Sequence, residues 1–278
     1  MSVTRVLGFG SSYSQLFPSS VEYNQKNFTK ALSHVQSMDA DMGGTEIDKP
    51  MLAIFKESTI EGVPRQVFLL TDGEVENTQT CINICKQHAM KTRVFTFGIG
   101  SGADKVLVKG MAEAANGNYE FISDTNNMDE KVLRQLGRAL KPAFTDLSLD
   151  WGKDLSPVIT QTPYHCPPLF NGGTIVFYGF LPKGSLGTHN VTLHAKTSTG
   201  PFSTTVALNF DQAMEGDSVV KLAARSLIRD LQDARSYMHD DKCQLLPKFT
   251  VNSVTDAIVK TSLEHQGTSR SLFAAILW

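Results

Sequence analysis

The stretch Leu69 to Thr78, LLTDGEVENT, passes directly from an apolar run into Asp-Gly-Glu. The residues from Val67 to Thr71 have the length and the aliphatic and aromatic composition of a buried strand. Gly73 lets the backbone turn sharply after Asp72. In open parallel sheets, functional groups collect where loops leave the carboxyl ends of the strands. The pattern therefore predicts that Asp72 stands at such an end, on the rim where a binding site would form.

Strands and helices alternate on both sides of this stretch. Further strands are predicted at residues 6–9, 94–99 and 119–122. Apolar residues at helical spacing lie between the strands: Phe28, Leu32, Val35 and Met38; Ile82, Cys85 and Ala89; Leu107, Met111 and Ala114; Val132, Leu136 and Ala139. This alternation predicts an α/β fold for a first domain, residues 1–142, with a doubly wound, mostly parallel sheet covered by helices on both faces.

The character of the sequence changes after Pro142. Residues 143–212 are rich in β-branched and aromatic residues separated by glycine turns, which predicts an antiparallel β-rich module. Residues 213–278 are predicted to contain a helix capped by Asp217 and a second helix near residues 251–263. The apolar run 271–278 reads as a strand cut short by the end of the chain.

Composition excludes several classes of function. The 26 basic and 28 acidic residues give a net charge of -2, and no run of Lys or Arg marks a surface for nucleic acid. No stretch approaches the roughly 18 apolar residues of a membrane span, and the amino terminus lacks the layout of a signal peptide. The 4 cysteines are too few for a disulfide framework and fit a reducing compartment. We therefore expect a cytoplasmic protein.

A second loop offers oxygen ligands. In ADMGGTEIDK, residues 40–49, the paired Gly43 and Gly44 permit a close backbone approach just before the hydroxyl of Thr45. A hydroxyl and a carboxylate on adjacent loops suit a hard cation such as Mg²⁺. Thr45 and Asp72 are accordingly the candidate metal ligands, although these two groups do not complete a six-coordinate shell.

These motifs resemble the von Willebrand factor type A domain. The resemblance is carried by GGT at 43–45, LLTDGE at 69–74, VLGFGSSYSQLFPSSVEY at 6–23 and TFGIGSG at 96–102, and it continues into CPPLFNGG at 166–173 and KLAARSLI at 221–228. It implies a doubly wound fold with a metal-ion-dependent adhesion site, where a divalent cation bridges the domain to an acidic group of a protein partner.

The resemblance assigns the site residue by residue. Thr45 matches the threonine of the family's second ligand loop, and Asp72 matches the aspartate of the third. The first loop, Asp-x-Ser-x-Ser, has no counterpart, because no Asp precedes Asp39 and the serines at 11–14 follow the second strand. Gly43, Gly44, Glu46, Gly73 and Glu74 form the expected rim. We expect the chain to lack the first strand and helix, and to hold Mg²⁺, Mn²⁺ or Ca²⁺ weakly or not at all.

Three functions follow from these residues. The first is a non-enzymatic protein-protein interaction module. The second is a truncated isoform or gene fragment that acts as a metal-independent scaffold or has no stable function. The third, an enzyme, rests on Gly8 to Tyr13 as a dinucleotide loop, but Tyr13 occupies the third glycine's place and no helix is predicted to follow it. The sequence favours the interaction module.

Overall fold

The computed structural model describes residues 3–60, 63–123, 127–156, 159–181, 186–197, 199–212, 216–240, 243–266 and 273–277. The chain divides into two compact units. The first comprises Met1–Ile60 and Arg65–Leu140, and the second comprises Glu61–Pro64 and Lys141–Trp278. The finer division at residues 142 and 212 stays a prediction.

The first unit alternates short strands and helices. Its elements are β1 (Val3–Thr4), β2 (Leu7–Phe9), β3 (Tyr13–Gln15), β4 (Val21–Glu22), α1 (Gln25–Gln36), α2 (Asp48–Lys56), β5 (Arg65–Thr71), α3 (Thr78–His88), β6 (Thr92–Ile99), α4 (Lys105–Ala114), β7 (Tyr119–Ile122) and α5 (Met128–Ala139).

A three-stranded parallel sheet in the order β5-β6-β7 forms the centre of this unit. β6 lies in the middle and is buried from Thr92 to Gly98. Val67 and Leu69 of β5 face a core that also contains Val94 and residues of α2, α3 and α4: Met51, Cys81, Ile84, Cys85, Leu107 and Met111. The predicted α/β fold with a parallel sheet is confirmed.

The predicted strand at residues 6–9 is present but has a different partner. β2 pairs antiparallel with β3, with Phe9 opposite Tyr13, and the Gly10 amide donates to the Ser12 carbonyl at 2.8 Å to close the turn. A parallel pairing needs a long crossover connection, whereas three residues suffice for a hairpin. The same hairpin removes the dinucleotide-loop interpretation, because β3, rather than a helix, follows the glycines.

The apolar stripe of α1 is exposed. Phe28, Leu32 and Val35 of α1, and Met38 just after the helix, each keep more than two fifths of their surface accessible. The helix itself is well capped, since the Asn24 side chain accepts from the Asn27 amide at 3.0 Å. The period of this helix was thus predicted correctly, although its apolar side chains do not enter the core.

The second unit is built from antiparallel strands and two long helices. Its elements are β8 (Ala143–Asp150), β9 (Thr160–Thr162), β10 (Leu169–Phe170), β11 (Val176–Phe180), β12 (Thr188–Thr197), β13 (Gly200–Asn209), a 3-10 helix (Phe210–Gln212), α6 (Asp217–Gln232), α7 (Val251–Gln266) and β14 (Phe273–Leu277).

Two antiparallel sheets hold the strands of this unit, in the orders β10-β8-β12-β13 and β14-β11-β9. The apolar run near the carboxyl end therefore supplies a paired strand, β14, which runs antiparallel to β11. α6 begins where predicted, but Gly216 takes the cap position and Asp217 is the first helical residue, where its charge favours the helix amino terminus. Within the described ranges, no helix combines the length and apolar character needed to cross a bilayer.

A polar network ties α6 to the strand β9. The Asp230 carboxylate accepts from the Thr162 hydroxyl at 2.7 Å and from the Tyr164 amide at 3.1 Å, and the Thr162 hydroxyl also lies 2.9 Å from that of Ser226. Burial raises the pKa of Asp230 to about 6, against the opposing effect of these hydrogen bonds. The network is thus a pH-sensitive part of the second unit.

Two glycine substitutions test the packing of the first unit. A Cβ on Gly117 would lie 1.8 Å from the Val94 carbonyl oxygen, whereas one on Gly137 in α5 would meet nothing within 4 Å. We expect Gly117→Ala to lower the free energy of unfolding by at least about 2 kcal/mol, and Gly137→Ala to raise it by ~0.5–1 kcal/mol. Urea denaturation measures both, and equal effects at the two sites would contradict the packing described.

Substitution of Asp230 tests the polar network. The folded-state pKa of about 6 lies above the ordinary value of 3.8 for an aspartate, so the stability due to protonation is fully present below pH 3.8 and is lost as pH rises through about 6. Asp230→Asn cannot titrate. We expect the stability of the wild type relative to this variant to fall by up to about 3 kcal/mol between pH 4 and pH 7. Urea titrations at several pH values measure the difference, and parallel curves would refute it.

Candidate functional site

The loop that is expected to carry the third metal ligand leaves the sheet at Asp72. Along β5, Val67, Leu69 and Thr71 are buried, and Asp72, the next residue, is exposed. The Gly73 amide lies 3.4 Å from the Thr71 hydroxyl, which helps to close the turn. Because β5 is parallel to β6, the Asp72 carboxylate stands at the carboxyl rim of the sheet, as the sequence predicts.

The second ligand loop packs against the turn of the β2-β3 hairpin. The Ser11 amide donates to the Met42 carbonyl at 2.9 Å, and the Glu46 amide donates to the Gly10 carbonyl at 2.9 Å. Gly43 has a φ of +62°, a conformation that favours glycine. A Cβ on Gly44 would lie 2.7 Å from Ser11 Oγ. The two glycines are therefore required for the loop to approach the hairpin this closely.

Thr45 meets the loop that carries Asp72. A Cβ on Gly73 would lie 2.9 Å from Thr45 Oγ1 and 3.7 Å from Thr45 Cβ. The loop after β6 also reaches this point, since a Cβ on Gly102 would lie 3.2 Å from the Asp72 carbonyl oxygen. The loops that carry Ser11, Thr45, Asp72 and Gly102 thus meet at one rim.

The remaining rim residues differ in their contacts. Glu46 forms an ion pair with Lys49 one turn along the chain, and this ion pair raises the pKa of Lys49. Glu74 is exposed two residues beyond Asp72. The rim therefore carries acidic groups around the point where Thr45 and Gly73 meet, but the Glu46 carboxylate is already engaged by a lysine.

Asp104 is the acidic residue of the loop after β6. Its side chain is hydrogen-bonded at the amino terminus of α4. Burial acts to raise its pKa, but hydrogen bonds from the Leu107 amide, the Thr78 hydroxyl and the Val106 amide lower it overall. These bonds measure 3.1, 2.9 and 2.8 Å. Asp104 therefore caps α4 and links it to α3, while Asp72 points to solvent.

Ser11 is a rim residue that sequence reasoning missed. The serines at 11–14 follow the second strand and were therefore not expected in the site, yet Ser11 Oγ lies close to both Gly43 and Gly44. The pair Gly10-Ser11 could have indicated this position. A glycine that tolerates no side chain, followed by a small residue, is typical of a close approach between two loops. A Cβ on Gly10 would lie 2.6 Å from the Gly43 carbonyl oxygen.

The donor set consists of oxygen atoms of modest total charge. It comprises the exposed Asp72 carboxylate and the hydroxyls of Thr45 and Ser11, all on loops that converge. In the part of the chain that the structure describes, no three His, Cys, Asp or Glu side chains form a group able to hold a metal. Such a donor set fits a hard cation that keeps most of its water, because Mg²⁺ dehydrates reluctantly and prefers oxygen.

Comparison with known proteins gives matches over the first unit and beyond it. Residues 3–121 match the family model described as von Willebrand factor type A domain. A von Willebrand factor A domain-containing protein of Dictyostelium discoideum is 36% identical over 233 residues, which is 82% of this chain and 25% of that protein. Von Willebrand factor A domain-containing protein 5A of Rattus norvegicus is 41% identical over 176 residues, 63% of this chain and 21% of that protein.

The chain therefore spans about a quarter of the length of these curated relatives. Among solved structures, a von Willebrand factor type A protein from Catenulispora acidiphila superimposes with a TM-score of 0.51 over 95% of this chain and 71% of that one. Its sequence identity is 14%. This structural likeness supports the fold alone.

A double-mutant cycle tests the meeting of Thr45 and Gly73. Gly73→Ala would drive a Cβ against the Thr45 hydroxyl, and Thr45→Ala removes that hydroxyl. We expect Gly73→Ala to cost about 1 kcal/mol in the wild-type background and distinctly less in the Thr45→Ala background, because the clash is then gone. Thermal and urea denaturation of the four proteins measure the coupling, and strictly additive costs would show that the two residues do not touch.

Proposed function

The chain belongs, through residues 3–121, to the von Willebrand factor type A domain family, and from this premise we propose that it binds a protein partner through a divalent cation at the rim of Thr45 and Asp72. Von Willebrand A domains act mostly as non-enzymatic interaction modules. We accordingly propose that this chain is a binding protein and not an enzyme.

One observation carries the proposal. Thr45 Oγ1 lies 2.9 Å from the position that a Cβ of Gly73 would take, and Gly73 directly follows Asp72. This approach of the two loops supports the proposal that a hydroxyl and a carboxylate from separate loops share one site. The burial of β5 in the core accounts for the position of Asp72, and the loop with Gly43 and Gly44 accounts for the position of Thr45. A site made of two such loops is suited to an ion shared between them.

The chemistry of the rim suggests how such a cation would be held. Asp72 supplies the negative charge, and the hydroxyls of Thr45 and Ser11 supply neutral oxygen donors. The bound ion, Mg²⁺ or alternatively Mn²⁺ or Ca²⁺, would offer positive charge to an acidic side chain of the partner. With one carboxylate from this chain the affinity for the ion alone is low, at about the millimolar end of the range for oxygen sites.

A metal-independent scaffold is the second candidate function. It is favoured by the engagement of Glu46 with Lys49 and of Asp104 with the start of α4. Of the carboxylates expected at the rim, these contacts leave those of Asp72 and Glu74, fewer than a tightly held divalent cation requires. In this case the partner would contact the same rim by direct hydrogen bonds, and metal would have no effect.

We further propose that the protein works in a reducing compartment, the cytoplasm. In the part of the chain that the structure describes, which includes all of the cysteines, no disulfide is formed. Burial raises the pKa of the Cys81 thiol to about 11 and the pKa values of Cys85 and Cys166 to about 12. These thiols are protonated and unreactive at neutral pH, as packing residues are.

Manganese titration followed by NMR tests the metal proposal. We expect Mn²⁺ to broaden the amide signals of Thr45 and Gly73 in the wild type, because a paramagnetic ion broadens nearby signals. Asp72→Ala should abolish this local broadening, and Thr45→Ala should weaken it several-fold. Mg²⁺ should reverse the broadening by competition.

Glu113→Ala is the matched control for this titration. Glu113 lies on α4, is exposed, and makes a long ion pair of 3.8 Å with Lys109. The control removes one surface carboxylate away from the rim and should leave the broadening unchanged. Equal broadening in the wild type and in Asp72→Ala would reject the metal site and leave the metal-independent scaffold.

A further inference from the structure

The segment from Asp72 to Thr78 joins β5 to α3, and it contacts the loop after β6 at both of its ends. At its start, a Cβ on Gly102 would lie 3.2 Å from the Asp72 carbonyl oxygen, so the two backbones pass close to each other. At its end, the Thr78 hydroxyl donates to the Asp104 carboxylate at 2.9 Å. The loop after β6 therefore holds the segment that carries Asp72 at both ends.

The Thr78 hydroxyl also lies against the middle of this segment. It is 3.3 Å from the carbonyl oxygen of Val75, whose side chain packs on the core of the first unit. A hydroxyl has one proton to donate, and the bond to the charged Asp104 is the shorter and stronger of the two. Asp104 therefore fixes the orientation in which the Thr78 side chain rests against Val75.

Asp104 is itself anchored to a helix. Its Oδ1 atom accepts from the Val106 amide at 2.8 Å and from the Leu107 amide at 3.1 Å, while Oδ2 accepts from Thr78. Burial acts to raise the pKa of Asp104, but these hydrogen bonds lower it overall, so the carboxylate is ionised at neutral pH. α4 is in turn fixed in the core through Leu107 and Met111. A continuous chain of contacts thus runs from the core to the segment after β5.

These contacts act on the backbone around Asp72 and leave this residue exposed. β5 fixes the residue before it, Gly102 packs beside its carbonyl group, and Thr78 ends the segment. An exposed carboxylate on a loop binds a cation best when the loop is already held in one conformation, because ordering the loop on binding lowers the affinity. The three contacts provide that restraint.

We propose that Asp104 is a positioning residue for the cation site: through Thr78 it holds the loop that presents Asp72, without touching the ion. This inference rests on the proposed function of that rim. Hydrogen bonds that orient a metal ligand from outside the coordination shell typically account for about 10–100-fold in metal affinity. Asp72 is the charged ligand of the proposed site, so the affinity depends strongly on how well it is held. Loss of the link between Thr78 and Asp104 lowers the affinity for the ion by about tenfold.

Two substitutions break this link and preserve the cap of α4. Thr78→Val removes the hydroxyl with little change in shape and leaves both amide bonds of Asp104 in place. Asp104→Ser keeps one capping oxygen but has no second oxygen to accept from Thr78. Asp104→Asn is the conservative variant, because its carbonyl oxygen caps the helix while its amide group donates to Thr78 Oγ1.

NMR relaxation of the metal-free protein and titration with Mn²⁺ together test the inference. In Thr78→Val and Asp104→Ser, we expect the order parameters of the Glu74 and Val75 amides to fall from about 0.85 towards about 0.6. The Mn²⁺ concentration that broadens the Thr45 amide signal should rise about tenfold. The double variant should behave like either single one, because both remove the same bond, and Asp104→Asn should stay close to the wild type.

Thr29→Val is the matched control and should change neither measurement, since the exposed Thr29 hydroxyl donates to the Gln25 carbonyl of its own helix, α1, at 2.9 Å. The circular dichroism melt of each variant verifies that it is folded. Unchanged order parameters or an unchanged Mn²⁺ response in Thr78→Val and Asp104→Ser would overturn the role of Asp104 while the cation site stands. Absence of any Mn²⁺ response in the wild type would instead reject the proposed function, and this role with it.

Discussion

The parallel pairing of β5 with β6 is the constraint on which the first unit depends. It is anchored by the buried strand β6 and by the contact of Val67 and Leu69 with the core. The contacts of Val67 and Leu69 with the core fix the position of β5 in the sheet. Asp72, the residue after the strand, therefore lies at the carboxyl rim.

Close approach between loops then determines the rim. Glycine at positions 10, 43, 44 and 73 removes side chains that would otherwise collide with Ser11, Met42 or Thr45. Without those side chains, Ser11 Oγ lies beside Gly43 and Gly44, and Thr45 Oγ1 lies beside Gly73, the residue that follows Asp72. The negative charge available at the rim is moderate, because the carboxylate of Glu46 pairs with Lys49 and that of Asp104 accepts a hydrogen bond from Thr78.

The two faces of the sheet have unequal surroundings. The face of Val67 and Leu69 is covered by α2, α3 and α4. Burial in this core raises the pKa of the Cys85 thiol. The face of Phe68 and Leu70 keeps large apolar side chains in contact with solvent, as does the stripe of α1. Exposed apolar groups of this extent favour association with another surface.

The sequence by itself determined most of the helices and strands, because the spacing of apolar residues and the positions of turn-forming residues are local properties of the chain. The stripe Leu107, Met111 and Ala114 and the strand ending before Asp72 were both predicted from neighbouring residues, and the family was predicted from the order of the motifs. Only the tertiary structure decided which elements pair and which side chains meet. It placed residues 6–9 in a hairpin, gave Gly216 the cap of α6, brought Ser11 to the glycine loop and left the stripe of α1 exposed, because these outcomes depend on contacts between residues far apart in the chain.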